Sequence, residues 1–133
     1  LIAWVFAGVC LIFYLGGAWF FGSRARGRKV AELLGRRANP TRDEFVAMMT
    51  VNARPDVAAF LWDALQLYYR PELTPHPDDD LVGDLLIDPD EPEDWVMDYC
   101  HRFAISAQEL PKWGEEHRVT PRNLGRYLAT LPR

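Results

Sequence analysis

The apolar and polar positions of this chain divide it into one unbroken apolar run and several short amphipathic stretches. The run is LIAWVFAGVCLIFYLGGAWFFG, residues 1–22, with no charged residue. As a helix rising ~1.5 Å per residue it reaches about 33 Å, enough to cross the hydrocarbon core of a bilayer. Trp4 and Trp19 stand near its two ends, where interfacial aromatics collect. We read residues 1–22 as a transmembrane helix rather than a secretory signal peptide. No basic residue precedes the run, and Gly16 and Ala18 form a poor small-x-small cleavage site. Ala3 and Ala7 make a small-xxx-small pair that permits helix pairing in the membrane.

Beyond residue 40 the periodicity is that of short helices. Thr41-x-x-Glu44 is a capping box, predicting a short connecting helix within residues 41–54. In RPDVAAFLWDALQLYYR, Pro55 suits a first turn, and Val57, Phe60, Leu61, Ala64, Leu65 and Tyr68 fall on one stripe. PELTPHPDDD, with three prolines and a run of carboxylates, opposes both helix and central strand and reads as a loop. A brief turn in DDLVGDLL then returns Leu81, Leu85 and Leu86 to the core. A helix is expected from about 91 to 103, with Pro89 and Pro92 at or before its first turn and Asp88 or Asp90 as its cap. Val96, Tyr99, Cys100 and Phe103 share one side of it, and Glu91, Asp94 and Asp98 share another. After an irregular stretch broken by Pro111 and Gly114, Thr120 and Pro121 start a last helix with Leu124, Tyr127, Leu128 and Leu131 on one face. No segment alternates as a half-buried strand does, so the predicted fold class is all-α: a single N-terminal transmembrane helix followed by a small helical bundle.

Charge changes the picture. Residues 24–37 hold six basic residues against Glu32, and everything after them holds nine basic against eighteen acidic. The formal charge of −4 thus averages a +5 collar and a −9 domain. Arg24, Arg26, Arg28 and Lys29 flank the apolar run, and the positive-inside rule then places the amino terminus outside and the C-terminal domain in the cytoplasm, anchored by a single pass in the inner membrane. Residues 23–40 read as a basic juxtamembrane linker in which Gly27 and Gly35 allow the helix either to continue or to bend away. The net acidic domain disfavours nucleic acid, and the collar is explained by topology and attraction to anionic headgroups.

Candidate chemistry is sparse. Two EF-hand registers fail: from Asp88 the sixth position is Glu93 and the twelfth Tyr99, and from Asp78 the fifth is Val82 and the twelfth Pro89. His76, His101 and His117 have no metal-ligand spacing, so no metal is expected. Cys100 and His101 are helix neighbours about 100° apart and do not face each other as nucleophile and base. Cys100 reads as a small core residue, and a disulfide with Cys10 in the apolar run is not expected. Phosphate-binding glycine loops and a G-x-S-x-G elbow are absent from the sequence, so no enzymatic role is expected.

The run LVGDLLIDPDEPEDWVMDYCHRF resembles the centre of an acyl carrier protein, where a loop of the D-L-G-x-D-S-L type leads into helix II of the E-L-V-M-x-L-E-x-x-F type. Without a gap, Asp84, Leu85 and Asp88 match the loop, Val96 and Met97 the helix, and Phe103 its terminal aromatic. LTPHPDDDLVGDLL is similar to the family's upstream pattern and VTPRNLGRYL to the start of its helix IV. The resemblance covers about residues 55–131, although the stretch between Phe103 and Val119 is about four residues longer than usual. It implies a small four-helix bundle over residues 55–133. The position of the family's phosphopantetheine-bearing serine is Pro89, which has no nucleophile, and Ser106 lies beyond the helix. The resemblance is therefore to acyl-carrier-like small proteins that lack the serine, and phosphopantetheine is disfavoured as a cofactor.

The family presents acidic helix II residues to basic partner surfaces, which implies partner-binding roles for Glu91, Glu93, Asp94 and Asp98. Eleven acids without one basic residue lie between Glu72 and Asp98, and a field of one sign speeds encounter with a basic partner. The expected function is a membrane-anchored, non-enzymatic module that docks a basic protein partner or a membrane enzyme subunit. A carrier modified at another site and a structural subunit of a membrane complex are the alternatives, and the small core leaves oligomerisation open.

Overall fold

The computed structural model describes residues 2–114 and 117–132, with side chains from residue 8 onward except at 109. The side chains of Ala3, Trp4 and Ala7 lie outside the described residues. The fold is all-α: α1 (Ile2–Arg36), α2 (Arg42–Met49), α3 (Pro55–Tyr69), α4 (Glu91–Arg102) and α5 (Pro121–Ala129), with one 3₁₀ turn at Ala107–Glu109. α1 is the one helix among the described residues long and apolar enough to cross a membrane, and among its described residues none of the apolar window is buried.

Of the two courses open to the collar, it continues the helix. α1 runs through Gly27 to Arg36, so the apolar run and the basic segment form one helix. Its second half carries a stripe at helical spacing, and Val30 and Leu33 on that stripe are buried in the core. The domain is therefore mounted on the helix by packing as well as by covalent continuity.

Local signals explain the remaining boundaries. Thr41 and Glu44 make the reciprocal capping box of α2. Pro55 opens α3, and the Thr120 hydroxyl accepts from the Asn123 amide at the start of α5. α3 is the centre of the bundle, burying Val57, Ala58, Phe60, Leu61, Trp62, Leu65 and Tyr69. Phe45 of α2 lies against Trp62, while Phe60 and Tyr68 of α3 meet Tyr99 and Trp95 of α4 edge-on. Leu124 and Leu128 of α5 close the remaining side, and Gly125 lets α5 approach Met49 and Ala53. Cys100 is buried and unbridged, and burial pushes its thiol pKa up.

The segment between α3 and α4 is irregular but firmly held. Leu73, Pro75, Leu81, Leu85 and Ile87 are buried, and the Leu81 and Arg122 amides donate to the carbonyls of Val119 and Pro77. The turn near Leu81 returns Leu81 and Leu85 to the core as expected. Leu86 departs from expectation: it has φ 56° and is 52% exposed, and Ile87 fills the core place instead. In a turn this tight, consecutive side chains cannot all face one side, and the left-handed residue swings outward.

Candidate functional site: the acidic faces of α4

The acids of the 72–98 stretch divide into two groups. Four of the eleven are paired with arginines: Glu72 with Arg26 at 3.3 Å, Asp78 with Arg122 at 2.6 Å, Asp79 with Arg37 at 2.6 Å and Asp84 with Arg36 at 2.9 Å. Three of those arginines belong to the collar. Part of the charge asymmetry along the sequence is thus cancelled within the fold, and Glu72, Asp79 and Asp84 hold the loop against α1 and the Arg37 that follows it.

Arg122 and Arg37 are the nodes of this arrangement. Arg122 reaches Asp78, the Met48 carbonyl and Asn52, tying α5 to the loop and to the end of α2. Its hydrogen bonds hold the Asp78 carboxyl below the usual carboxylate range. Arg37 donates to both oxygens of Asp79 and to the Thr74 carbonyl, and the Tyr69 hydroxyl also donates to Asp79. Burial, and then the negative charge of Asp79, raise the Tyr69 phenol well above its ordinary pKa. Among the described residues no buried side-chain polar atom lacks a hydrogen-bond partner.

The second group lies on α4. Two prolines and three acids bound its start: Pro89 precedes it, Pro92 sits in its first turn, and Glu91, Glu93 and Asp94 lie where the helix dipole favours carboxylates. Asp90 occupies the N-cap position, but its side chain makes no capping hydrogen bond; the Asp88 carboxylate instead accepts from the Asp90 amide. The buried side is Trp95, Val96, Tyr99 and Cys100. The sequence reading placed three of these but missed Trp95, which a wide helical stripe beginning one turn earlier includes.

The four sequence-selected acids fall on two faces. Glu91, Asp94 and Asp98 border a groove between α3 and α4, facing Asp63, Leu67 and Tyr68. Glu91 is held there by the Tyr68 hydroxyl at 2.6 Å, a bond that raises the Tyr68 pKa. Leu67 and Met97 stand exposed in this groove, at 75% and 43%. Glu93 points to the other side, onto a pocket of about 340 Å³ lined chiefly by Pro89, Pro92, Val96, Trp113 and Tyr127. Met97 borders both, as the ridge between them. Pro89 is thus one of the residues lining this pocket. Ser106 accepts from the Gln108 amide in the 3₁₀ turn.

Of the flanking cations, Arg24 and Arg28 are exposed, Arg24 with its guanidinium 4.8 Å above the Phe20 ring. Lys29 meets Glu32 at 3.7 Å. Arg26 turns inward, donating to the carbonyls of Tyr68, Tyr69 and Arg70 as well as to Glu72. Sequence reasoning missed this role, although Arg26, Val30, Leu33 and Arg37 recur at three- and four-residue steps. Among the described residues no three His, Cys, Asp or Glu side chains gather as metal ligands.

No family model matches the chain, no curated protein matches it, and no solved structure matches it. The small all-α bundle behind one apolar helix is consistent with an acyl-carrier-like fold and does not by itself establish one.

Proposed function

We propose that the chain is a membrane-anchored, non-catalytic docking module whose cytoplasmic bundle captures a basic protein segment in the groove between α3 and α4. The observation that carries this reading is the groove's composition. Its lining includes the exposed Leu67 and Met97 together with the carboxylates of Asp94, Asp98 and Asp63, the last of which meets Arg42 at 3.7 Å. Exposed aliphatic side chains beside the unpaired carboxylates of Asp94 and Asp98 suit an amphipathic segment that buries aliphatic side chains and sets Lys or Arg against those acids. Among the described residues no salt bridge engages Asp94 or Asp98, whereas four acids of the preceding loop, Glu72, Asp78, Asp79 and Asp84, are paired with arginines.

Supporting the acyl-carrier-like part of the proposal, the third letter of the D-L-G-x-D-S-L pattern falls on Leu86, whose backbone has the positive φ that glycine favours. Pro89 at the serine position supports a docking role without a carried group. The exposed Arg24 and Arg28 support a cytoplasmic bundle.

The test is a pull-down of the tagged full-length chain from its native membrane at low and high salt, with mass spectrometry of bait and companions. The expected result is an unmodified bait and a basic companion that is lost at high salt and with Asp94→Lys/Asp98→Lys. Retention of every companion by that variant at low salt would sink the docking reading, and an added phosphopantetheine mass on the bait would restore the carrier.

A further inference from the structure

Leu86 combines two unfavourable features. A branched side chain in the left-handed region costs more than glycine or asparagine would there, and this one is 52% exposed between the buried Leu85 and Ile87. A solvent-facing turn of this shape is most cheaply filled by a small polar residue. An apolar residue held there against its backbone preference calls for an apolar environment outside the domain.

The position of the turn identifies that environment. Leu86 borders a shallow depression together with Gly22, Arg26, Tyr68 and Glu91. Gly22 is the last residue of the apolar run, and Arg24 is the first charge after it. With the run in the hydrocarbon core, Gly22 to Arg26 lies at the headgroup layer, and so does what packs beside it. The domain cannot swing away on a linker, because α1 is continuous, Val30 and Leu33 are buried in the core, and Arg26 grips the end of α3.

We infer that Leu86 is a second membrane contact, inserted into the headgroup–acyl boundary of the bilayer that α1 crosses, so that the bundle lies against the lipid surface. The charges nearby favour insertion over electrostatic adhesion. Asp88 accepts from the Asp90 amide and Glu91 from Tyr68, leaving acids at the turn, while the exposed Arg24 and Arg28 on α1 are placed for lipid phosphates. The contact thus requires no anionic lipid. It rests on the membrane anchor and does not require a partner in the α3–α4 groove, with which its depression shares Tyr68 and Glu91.

The test uses the full-length chain with Cys10→Ser in phosphatidylcholine nanodiscs, leaving the buried Cys100 in place. A nitroxide is attached at Leu86→Cys, at Val51→Cys or at Phe13→Cys, and its collisions with oxygen and with a water-soluble nickel chelate are compared. Val51 is 82% exposed in the turn before α3, at the opposite end of that helix from Tyr68. The expected result is that Leu86 and Phe13 are shielded from the chelate and Val51 is not. A Leu86 probe as open to the chelate as Val51, with Phe13 shielded, overturns the contact while sparing the anchor. A Phe13 probe open to the chelate overturns both.

Discussion

Arg37 and Asp79, 42 positions apart, meet in a two-pronged ion pair, with Nε 3.0 Å from Oδ1 and Nη2 2.6 Å from Oδ2. Their side chains are only 10% and 3% exposed. Arg37 immediately follows α1 and Asp79 lies in the proline-rich loop, so the pair fastens that loop to the end of the long helix. Removing one partner leaves a buried charge with too few donors, which costs about 3–5 kcal/mol. Arg37→Met should lower the unfolding free energy by about that much, read by chemical denaturation in micelles. Arg37→Met/Asp79→Leu should recover part of it, because no stranded charge remains. Equal stability of Arg37→Met and wild type would show that the pair contributes nothing.

A second arginine acts on a helix end. The last carbonyls of α3 have no partners within the helix, and Arg26 donates to those of Tyr68 and Tyr69 and to that of Arg70 just beyond, while also pairing with Glu72. Only a planar guanidinium presents several donors in that geometry. Arg26→Ala should therefore speed amide exchange in the last turn of α3, and Arg26→Lys should restore little of the protection. Full protection with lysine would mean that charge alone suffices.

The helices were legible because their signals are local. The capping box at Thr41 and Glu44, the threonine-proline start at Thr120 and the stripes of α3 and α5 each depend on residues within a few positions of one another. The domain-facing half of α1 was harder, because a dense basic segment after an apolar run has a sufficient explanation in topology, which conceals Val30 and Leu33. Long-range charge pairing was not legible at all: nothing local says that Asp79 is buried and Asp94 exposed. For the same reason the four α4 acids read as one set, whereas the packing of Trp95 and Val96 turns Glu93 to one side and Asp94 and Asp98 to the other.

His76 should make stability depend on pH near neutrality. Burial lowers its pKa from the ordinary 6.5, with Arg37 and Arg122 acting in the same direction and the Asp79 and Asp78 charges opposing. Its Nδ1 accepts from the Asp78 amide at 3.2 Å, which requires an unprotonated nitrogen. Because the folded-state pKa lies below the unfolded one, the unfolded chain takes up the proton first. The contribution is complete above pH ~6.5 and is lost as pH falls from there through the folded value. Unfolding free energy should decline over this window in the wild type and less steeply in His76→Gln. Parallel profiles would remove His76 from the account. Asp78, lowered by its Arg122 hydrogen bonds, adds a separate loss only below its usual 3.8.

Gly125 provides the sharpest test of the packing. An alanine there would gain about 1 kcal/mol of helix propensity if α5 were exposed at that point. In the folded bundle its Cβ would instead lie 2.5 Å from Met49 Cε and 3.3 Å from Ala53 Cβ. Met49 is itself fully buried, so its terminal methyl can yield only by disturbing neighbours, and Ala53 has no rotamer with which to move aside. Overpacking of this kind costs about 1–3 kcal/mol, so Gly125→Ala should be destabilising overall despite the propensity gain. Met49→Ala removes the atom that clashes, and Gly125→Ala should then be nearly neutral or stabilising in that background. A double-mutant cycle by denaturant unfolding reads the coupling directly. Strictly additive effects would mean that α5 does not approach α2 through Gly125, and that the closeness of these helices has another origin.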